Sequence, residues 1–391
     1  MKLTNTKLYT TNFILVCISS LFFSASYNML IPELPNYISG LGGAEYKGLI
    51  IALFTLTAGL SRPFSGKLTD SIGRKPIMIF GAVVCVICGF LYPILSTVSG
   101  FLFLRLIHGF STGFGPTAIA AYVSDIIPKN RLGEAMGIQG LCFSSGLALG
   151  PALGSYIKLY ATYDILFYSS SLFAIVSILL IFKIKETLTS TQKIKYSTFK
   201  IAKEDIIARE VIPAAIITFV TYLGFGVILT LIPDWSEYLG IKNKGTFFIV
   251  FTISSLFIRI ISGKVSDKYG RIIVIKIGLI ILVCSLILLG FLDFKQGLLI
   301  GATVYGLAMG ILSPTINAWT IDLSNPLTKG KSIATMYIAL EAGIGLGALF
   351  SGWYYKDIIT RIPIIFYACT FFTFLGLYYI ITFQKKIKKL H

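Results

Sequence analysis

Charge is scarce in this chain. Asp, Glu, Lys and Arg make up 13% of its 391 residues, about half the share of an ordinary soluble domain. With 55% hydrophobic residues and a mean hydropathy of +0.82, that excludes a soluble globule. Histidine is scarcer still, with only His108 and His391. They cannot form a His-Glu-x-x-His pair, so an intramembrane metalloenzyme lacks its ligands. No phosphate-binding Gly-x4-Gly-Lys-Ser/Thr loop is present either, which removes ATP as a driving force. The six cysteines (Cys17, Cys85, Cys88, Cys142, Cys284 and Cys369) all fall in apolar stretches. Cys85-x-x-Cys88 has no further ligand at metal spacing and reads as two buried thiols. No cofactor and no metal is expected.

What the chain has in abundance is apolar runs. A helix needs about 20 apolar residues to cross a bilayer, and such runs recur near 11–31, 48–66, 76–96, 101–123, 134–157, 165–184, 211–233, 246–265, 272–292, 297–321, 332–353 and 363–384. With no water to satisfy the backbone in hydrocarbon, each run must be helical. The expected fold is all-α and polytopic, with twelve transmembrane helices. Met1 to Tyr27 imitates a secretory signal, but with eleven more spans to follow it is expected to stay as the first helix.

Lys and Arg then orient the chain. If the N-terminus is inside, 23 of the 34 fall in inner segments, seven in outer loops, and four (Arg62, Arg105, Arg259 and Lys276) inside spans. That bias is the positive-inside rule, and it puts both termini in the cytoplasm. The net charge of +17 therefore reports topology and contact with anionic lipid, with no need of a nucleic acid. The one long polar break, 185–209, separates six spans from six. The expected organisation is a first half over 1–184, a linker over 185–209 with a possible surface helix over 201–212, and a second half over 210–391.

The halves are repeats. Ser65-Gly66-Lys67-Leu68-Thr69-Asp70-Ser71-Ile72-Gly73-Arg74 returns as Ser262-Gly263-Lys264-Val265-Ser266-Asp267-Lys268-Tyr269-Gly270-Arg271, 197 positions later. The same offset relates Arg62 to Arg259, Gly109 to Gly306, Gly113 to Gly310, Asp125 to Asp322, and Gly146 and Gly150 to Gly343 and Gly347. Register held over four helices indicates two parallel six-helix repeats with a solute path between them. In the repeated turn, Gly66 and Gly73 allow a tight reversal, and Asp70 can face a helix N-terminus or pair with Arg74.

The turn resembles the loop motif between helices 2 and 3 of the major facilitator superfamily, and the resemblance extends over essentially the whole chain. It implies a transporter that works as a monomer. In the family the aspartate and arginine join an acid at the inner end of helix 4 and hold the outward-open state. Asp70, Arg74 and Asp125 occupy those places, and Asp267, Arg271 and Asp322 offer a second cluster. On the fourth span, Arg105, His108 and Thr112 share a face beside Gly109 and Gly113. An arginine there costs ~2.5 kcal/mol or more and faces a cavity or partner. The resemblance links Arg105 to proton movement, with His108 replacing a glutamine and able to titrate near neutrality.

The fifth span carries Gly137, Gly146, Gly150, Pro151 and Gly154. Glycines at these intervals admit a neighbouring helix and Pro151 adds a kink. The pattern resembles the helix-5 motif of antiporters, chiefly drug exporters, with Ser155 where a second glycine is usual. Glu341 is the acid expected at mid-membrane, on the eleventh span, unpaired and hence protonated. It is the expected proton carrier, with Arg105 and His108 as accessories and Arg105 across the cavity as the nearby cation. Tyr27, Asn28, Tyr222, Phe225, Tyr305, Asn317 and Trp319 are the candidate cavity wall, suited to amphipathic solutes. The expected function is proton-coupled export of small amphipathic organic compounds across a bacterial-type inner membrane. Uptake by a proton symporter, sodium coupling and a non-transporting membrane sensor stay open as alternatives.

Overall fold

The computed structural model describes residues 9–128, 131–188, 207–324 and 329–390, so most of the linker and its candidate surface helix lie outside the described residues. Helices account for nearly everything described. In the first half they are α1 (Thr11–Asn28), a short continuation α2 (Leu34–Gly40), α3 (Lys47–Ile72), α4 (Arg74–Leu91), α5 (Val98–Ile126), α6 (Leu132–Tyr160) and α7 (Tyr163–Phe182). The second half comprises α8 (Ile212–Tyr238), α9 (Thr246–Tyr269), α10 (Arg271–Phe291), α11 (Lys295–Leu323), α12 (Lys329–Tyr355) and α13 (Ile362–Leu390). Leaving out α2, twelve long helices result, six to a half. Threonines start three of them, with Thr10, Thr97 and Thr162 side chains accepting from the backbone N–H three residues on, which satisfies an otherwise orphaned donor.

Among the described residues nine helices are long and apolar enough to cross a membrane, or ten with the bent α9. The two that fall short, α1 and α5, do so for a physical reason. Their inward faces bury polar groups, Ser19, Ser20, Ser24, Ser26 and Asn28 on α1 and Arg105, His108, Ser111 and Thr112 on α5. Helix α9 bends by 42° between its Thr246–Arg259 and Ile261–Tyr269 pieces. There Ser262 Oγ donates back to the Arg259 carbonyl at 3.3 Å, an interaction that bends helices.

Packing repeats along with sequence. In the first half α1 lies on α6 and α7, α5 on α3 and α4, and α4 on α7. The same five contacts recur in the second half as α8 on α12 and α13, α11 on α9 and α10, and α10 on α13. Two seams join the halves, α3 against α12 and α6 against α9, and the repeat exchanges one for the other. Large apolar side chains such as Leu60, Phe257 and Phe291 are left on the outside, where lipid and not water is the solvent.

Candidate functional site

At the inner end, α3 stops at Gly73, whose φ of 127° is a conformation open mainly to glycine. Arg74 follows at once as the first residue of α4. Its Nε donates to Asp125 Oδ2 at 2.8 Å, and its Nη1 lies 3.3 Å from Asp70 Oδ1. The second half repeats this. Gly270 has a φ of 90°, Arg271 Nε donates to Asp322 Oδ2 at 2.9 Å, and its Nη1 makes a short bond to Asp267. The turn therefore brings each expected acid to its arginine.

A further group belongs to the first cluster. Glu186 Oε1 accepts from the backbone N–H groups of Arg74, Thr187 and Leu188, and Oε2 accepts from Lys75 N at 2.8 Å. Partial burial pushes this carboxyl up, but the four N–H bonds outweigh it and hold Glu186 below the usual glutamate range. It caps α4, where a negative charge meets the positive end of the helix. Thr187 Oγ1 ties the cap to Asp125 Oδ2 at 2.6 Å. In sequence Glu186 reads as one more linker charge, and its counterpart 197 positions on is Phe383, so the repeat gave no signal. A side chain on Gly73 would run into the Glu186 carboxylate.

The geometry ranks the two acids around Arg74. Asp125 is 30% exposed and well aligned, whereas Asp70 is 73% exposed, and exposed pairs contribute about 0–1 kcal/mol. Asp125→Asn should therefore lower initial transport rates in vesicles roughly fivefold, the equivalent of about 1 kcal/mol, and Asp70→Asn by less. Equal rates for both variants and the parent would return the turn to a plain solvated loop.

Mid-membrane, Glu341 differs from expectation in one respect. It is buried but paired: Arg62 Nη2 donates to Glu341 Oε1 at 2.9 Å, across the α3–α12 seam. The Arg62 guanidinium also lies 4.8 Å from the Tyr337 ring centre. Arg105 is not the nearby cation. It is 1% exposed inside the first half, where its Nε donates to the Ile50 carbonyl at 2.8 Å and its guanidinium stacks 4.5 Å over Phe54. His108 is fully buried with Nδ1 3.1 Å from the Tyr92 hydroxyl. Both are placed by one helix face, as the spacing implied, but that face packs inward against α3 and α4.

The same stretch, Gly109-Phe110-Ser111-Thr112-Gly113, spells the Gly-x-Ser-x-Gly of esterases. Here Ser111 lies inside a helix, fully buried, with Oγ donating to the His108 carbonyl at 2.7 Å. The exposed strand-to-helix turn that such a nucleophile requires is lacking.

The expected cavity wall divides. Tyr222 and Asn317 are partly exposed, with Tyr222 Oη 3.3 Å from Ser313 Oγ. Tyr305 and Trp319 sit instead in the apolar core, Trp319 against Phe383. Phe225 packs on Phe251. Tyr27 rests on Phe23 and Phe54, and the Asn28 amide bonds back to the Ser24 carbonyl at 2.8 Å. The four aromatic residues among these five are packed here because large ring area is most stable when covered by neighbours.

The fifth-span glycines do what their spacing suggests, with one exception. Added side chains at Gly146, Gly150 and Gly154 would strike the α1 backbone from Leu21 to Met29, whereas Gly137 faces open space. Pro151 and Ala152 meet Gly245 at the start of α9, across the other seam. Ser155, which stands where the motif departs from its usual form, donates to Glu33 Oε1 at 2.7 Å.

The outer ends of the halves are tied together. Lys47 is buried between Asp234 Oδ2 at 2.6 Å and Asp357 Oδ1 at 2.5 Å. Asn36 donates to Glu237 Oε2 at 2.9 Å, and Asn243 to the Ala152 carbonyl at 3.2 Å. A cavity of about 480 Å³ lies beside these bonds, lined by Glu33, Asn36, Ser155, Lys158, Glu237 and Lys244. Toward the inner ends, side chains added at Gly66, Gly137, Gly140 or Gly263 would meet nothing within 4 Å. The Asp70–Arg74–Asp125 cluster is thus formed while the outer ends are shut.

Known proteins resemble this chain in sequence and in fold. The sequence profile of the Major Facilitator Superfamily matches residues 16–213 and again 214–389. The multi-drug resistance efflux pump PmrA homolog of Lactococcus lactis is 25% identical over 360 residues, covering 89% of this chain and 88% of that protein. Multidrug resistance protein 2 of Bacillus subtilis is 27% identical over 322 residues, 78% and 79% of the two chains. Among solved structures, a POT family transporter in complex with a thioalcohol-conjugated peptide superposes with a TM-score of 0.78 at 13% identity, over 96% of each chain. That last likeness concerns the fold alone.

Proposed function

Since the chain belongs to the Major Facilitator Superfamily, and so to membrane transport proteins and not to enzymes, we propose that it exports small amphipathic organic compounds in exchange for protons. The observation that carries this reading is the buried Arg62–Glu341 pair, which bridges the two halves at mid-membrane. A carboxylate in that place can trade its cation for a proton, and the trade changes what holds the halves together. The helix-5 pattern and the multidrug efflux relatives support export over uptake.

In this mechanism the state described above, with its outer ends tied together, admits solute from the cytoplasm. Closing the inner ends then goes with breaking the Lys47–Asp234 and Lys47–Asp357 bonds outside. After solute leaves, Glu341 takes a proton from the outer side, Arg62 is released, and the halves return. The inner clusters, Asp70, Arg74 and Asp125 with Asp267, Arg271 and Asp322, set the balance between the two states. The protein sits in a bacterial-type inner membrane among its lipids, as a monomer with both termini cytoplasmic, and 185–209 links halves 1–184 and 210–391.

Inside-out vesicles with an acidic lumen should accumulate solute several-fold above the medium, with protons leaving the lumen as they do so. A protonophore should return the level to passive equilibrium. Accumulation that instead required acid in the medium would mark a symporter and overturn the export reading.

A further inference from the structure

The repeat relates more than the turn motif. Arg62 and Arg259 stand 197 positions apart, and so do Ser144 and Glu341. The pseudo-two-fold therefore carries the Arg62–Glu341 pair of the α3–α12 seam onto Arg259 and Ser144 in the α6–α9 seam. The contact survives with one change of chemistry. Arg62 Nη2 meets a carboxylate at 2.9 Å, whereas Arg259 Nη1 meets the Ser144 hydroxyl at 3.4 Å. Arg259 Nε is buried without a hydrogen-bond partner. Tyr222 lies within electrostatic range of both Arg259 and Glu341, so the two seams lie on either side of it.

A part-buried guanidinium with only a weak neutral partner is an incomplete pair. Its planar fork matches an oxyanion at two points, and leaving such a charge uncompensated in a low dielectric is costly. Of the two seam arginines, Arg62 is balanced by Glu341, whereas Arg259 faces a neutral hydroxyl. Arg105 is enclosed within the first half, so the uncompensated positive charge at the seams is that of Arg259.

Resting on the export reading above, we propose that the solutes are amphipathic organic anions, and that Arg259 receives their oxyanion in the place that Glu341 fills in the opposite seam. Tyr222 supplies an aromatic face beside it, and Ser144 and Ser313 supply hydroxyls.

The test uses three pyrene probes on one scaffold: pyrenebutyrate, its neutral amide and the corresponding trimethylammonium. Binding to the purified full-length protein in detergent is read by fluorescence anisotropy. The carboxylate should bind at least tenfold more tightly than the other two. Arg259→Gln should bring it down to the level of the amide, and Arg259→Lys should retain part of the preference. Ser144→Glu, which restores the missing carboxylate within the chain, should also abolish the preference. Unchanged amide binding in that variant would show that the cavity is intact. A carboxylate bound no more tightly than the amide, or a preference that survives Arg259→Gln, would overturn the assignment. Proton-driven accumulation of all three probes alike would remove the anion site and leave export standing. A carboxylate preference without proton-driven accumulation would do the reverse.

Discussion

Replacing Gly154 by alanine should cost this protein most of its transport. A Cβ at that position would overlap the Met29 carbonyl oxygen and crowd the rest of that residue's backbone, which cannot swing aside as a side chain could. Overpacking in a filled interior costs about 1–3 kcal/mol, and a backbone neighbour puts this case at the upper end. Helices α1 and α6 must separate at their outer ends, and the Ser155–Glu33 bond, one residue on, goes with them. Expected are a fall of more than tenfold in transport and a lowered melting temperature in detergent. Gly137→Ala, where nothing lies within 4 Å, is the matched control and should be close to neutral. Parental behaviour in Gly154→Ala would show that α1 and α6 do not meet there.

The second large effect is expected at Glu341, and the Arg62 pair makes it more informative than an isolated acid would be. Glu341→Gln removes one partner of a buried ion pair, a change that costs about 3–5 kcal/mol because the other charge is stranded. It also removes the group proposed to carry the proton. The two consequences separate on adding Arg62→Gln. The double variant should recover much of the lost stability, since both charges are gone, yet still release no protons when solute is added in weakly buffered detergent. Gradient-driven transport should stay at least tenfold down in both, while solute exchange without a gradient persists. An unchanged proton signal in Glu341→Gln would take Glu341 out of the coupling and point to His108, Asp125 or Glu33.

Much of the architecture was legible because it rests on patterns that a linear text preserves. Twelve apolar runs, the bias of Lys and Arg, and a 197-residue repeat all survive without coordinates. The turn clusters were legible for the same reason, as Asp70 and Arg74 lie four residues apart and Asp125 ends the next helix but one. Arg62 was visible as a charge in a span, but its partner is 279 residues away, and no local signal ties the two. Glu186 was hidden differently. A carboxylate that caps a helix through backbone N–H groups leaves no trace in its partners' side chains. Arg105 was misjudged because a charge in a span is known to need company, and the company here is a carbonyl and a phenylalanine ring, neither of which carries charge. For the aromatic residues proposed as cavity wall the sequence offers little contrast, since 14% of the chain is aromatic and rings that pack read the same there as rings that line a path.

The polar inward faces of α1 and α5 bear on how the chain is made. Insertion into a bilayer is judged span by span, and an arginine at a helix centre is penalised by about 2.5–3.5 kcal/mol. Helix α5 carries Arg105 and His108, and α1 carries four serines and an asparagine on the buried side. Neither is well suited to sitting alone in lipid. Arg105 and His108 meet Ile50 and Tyr92, which precede them, but α1 is satisfied largely by helices synthesised later: Gln139 of α6 donates to Ser20 at 2.9 Å, and Ser177 and Ser170 of α7 meet Ser19 and the Ser26 carbonyl at 2.8 and 2.7 Å. A nascent chain arrested after α5 would stay beside the insertion machinery, and release of the first half into lipid would wait for α6 and α7 to emerge. Polar faces packed inside the first half thus make six helices partition as one unit.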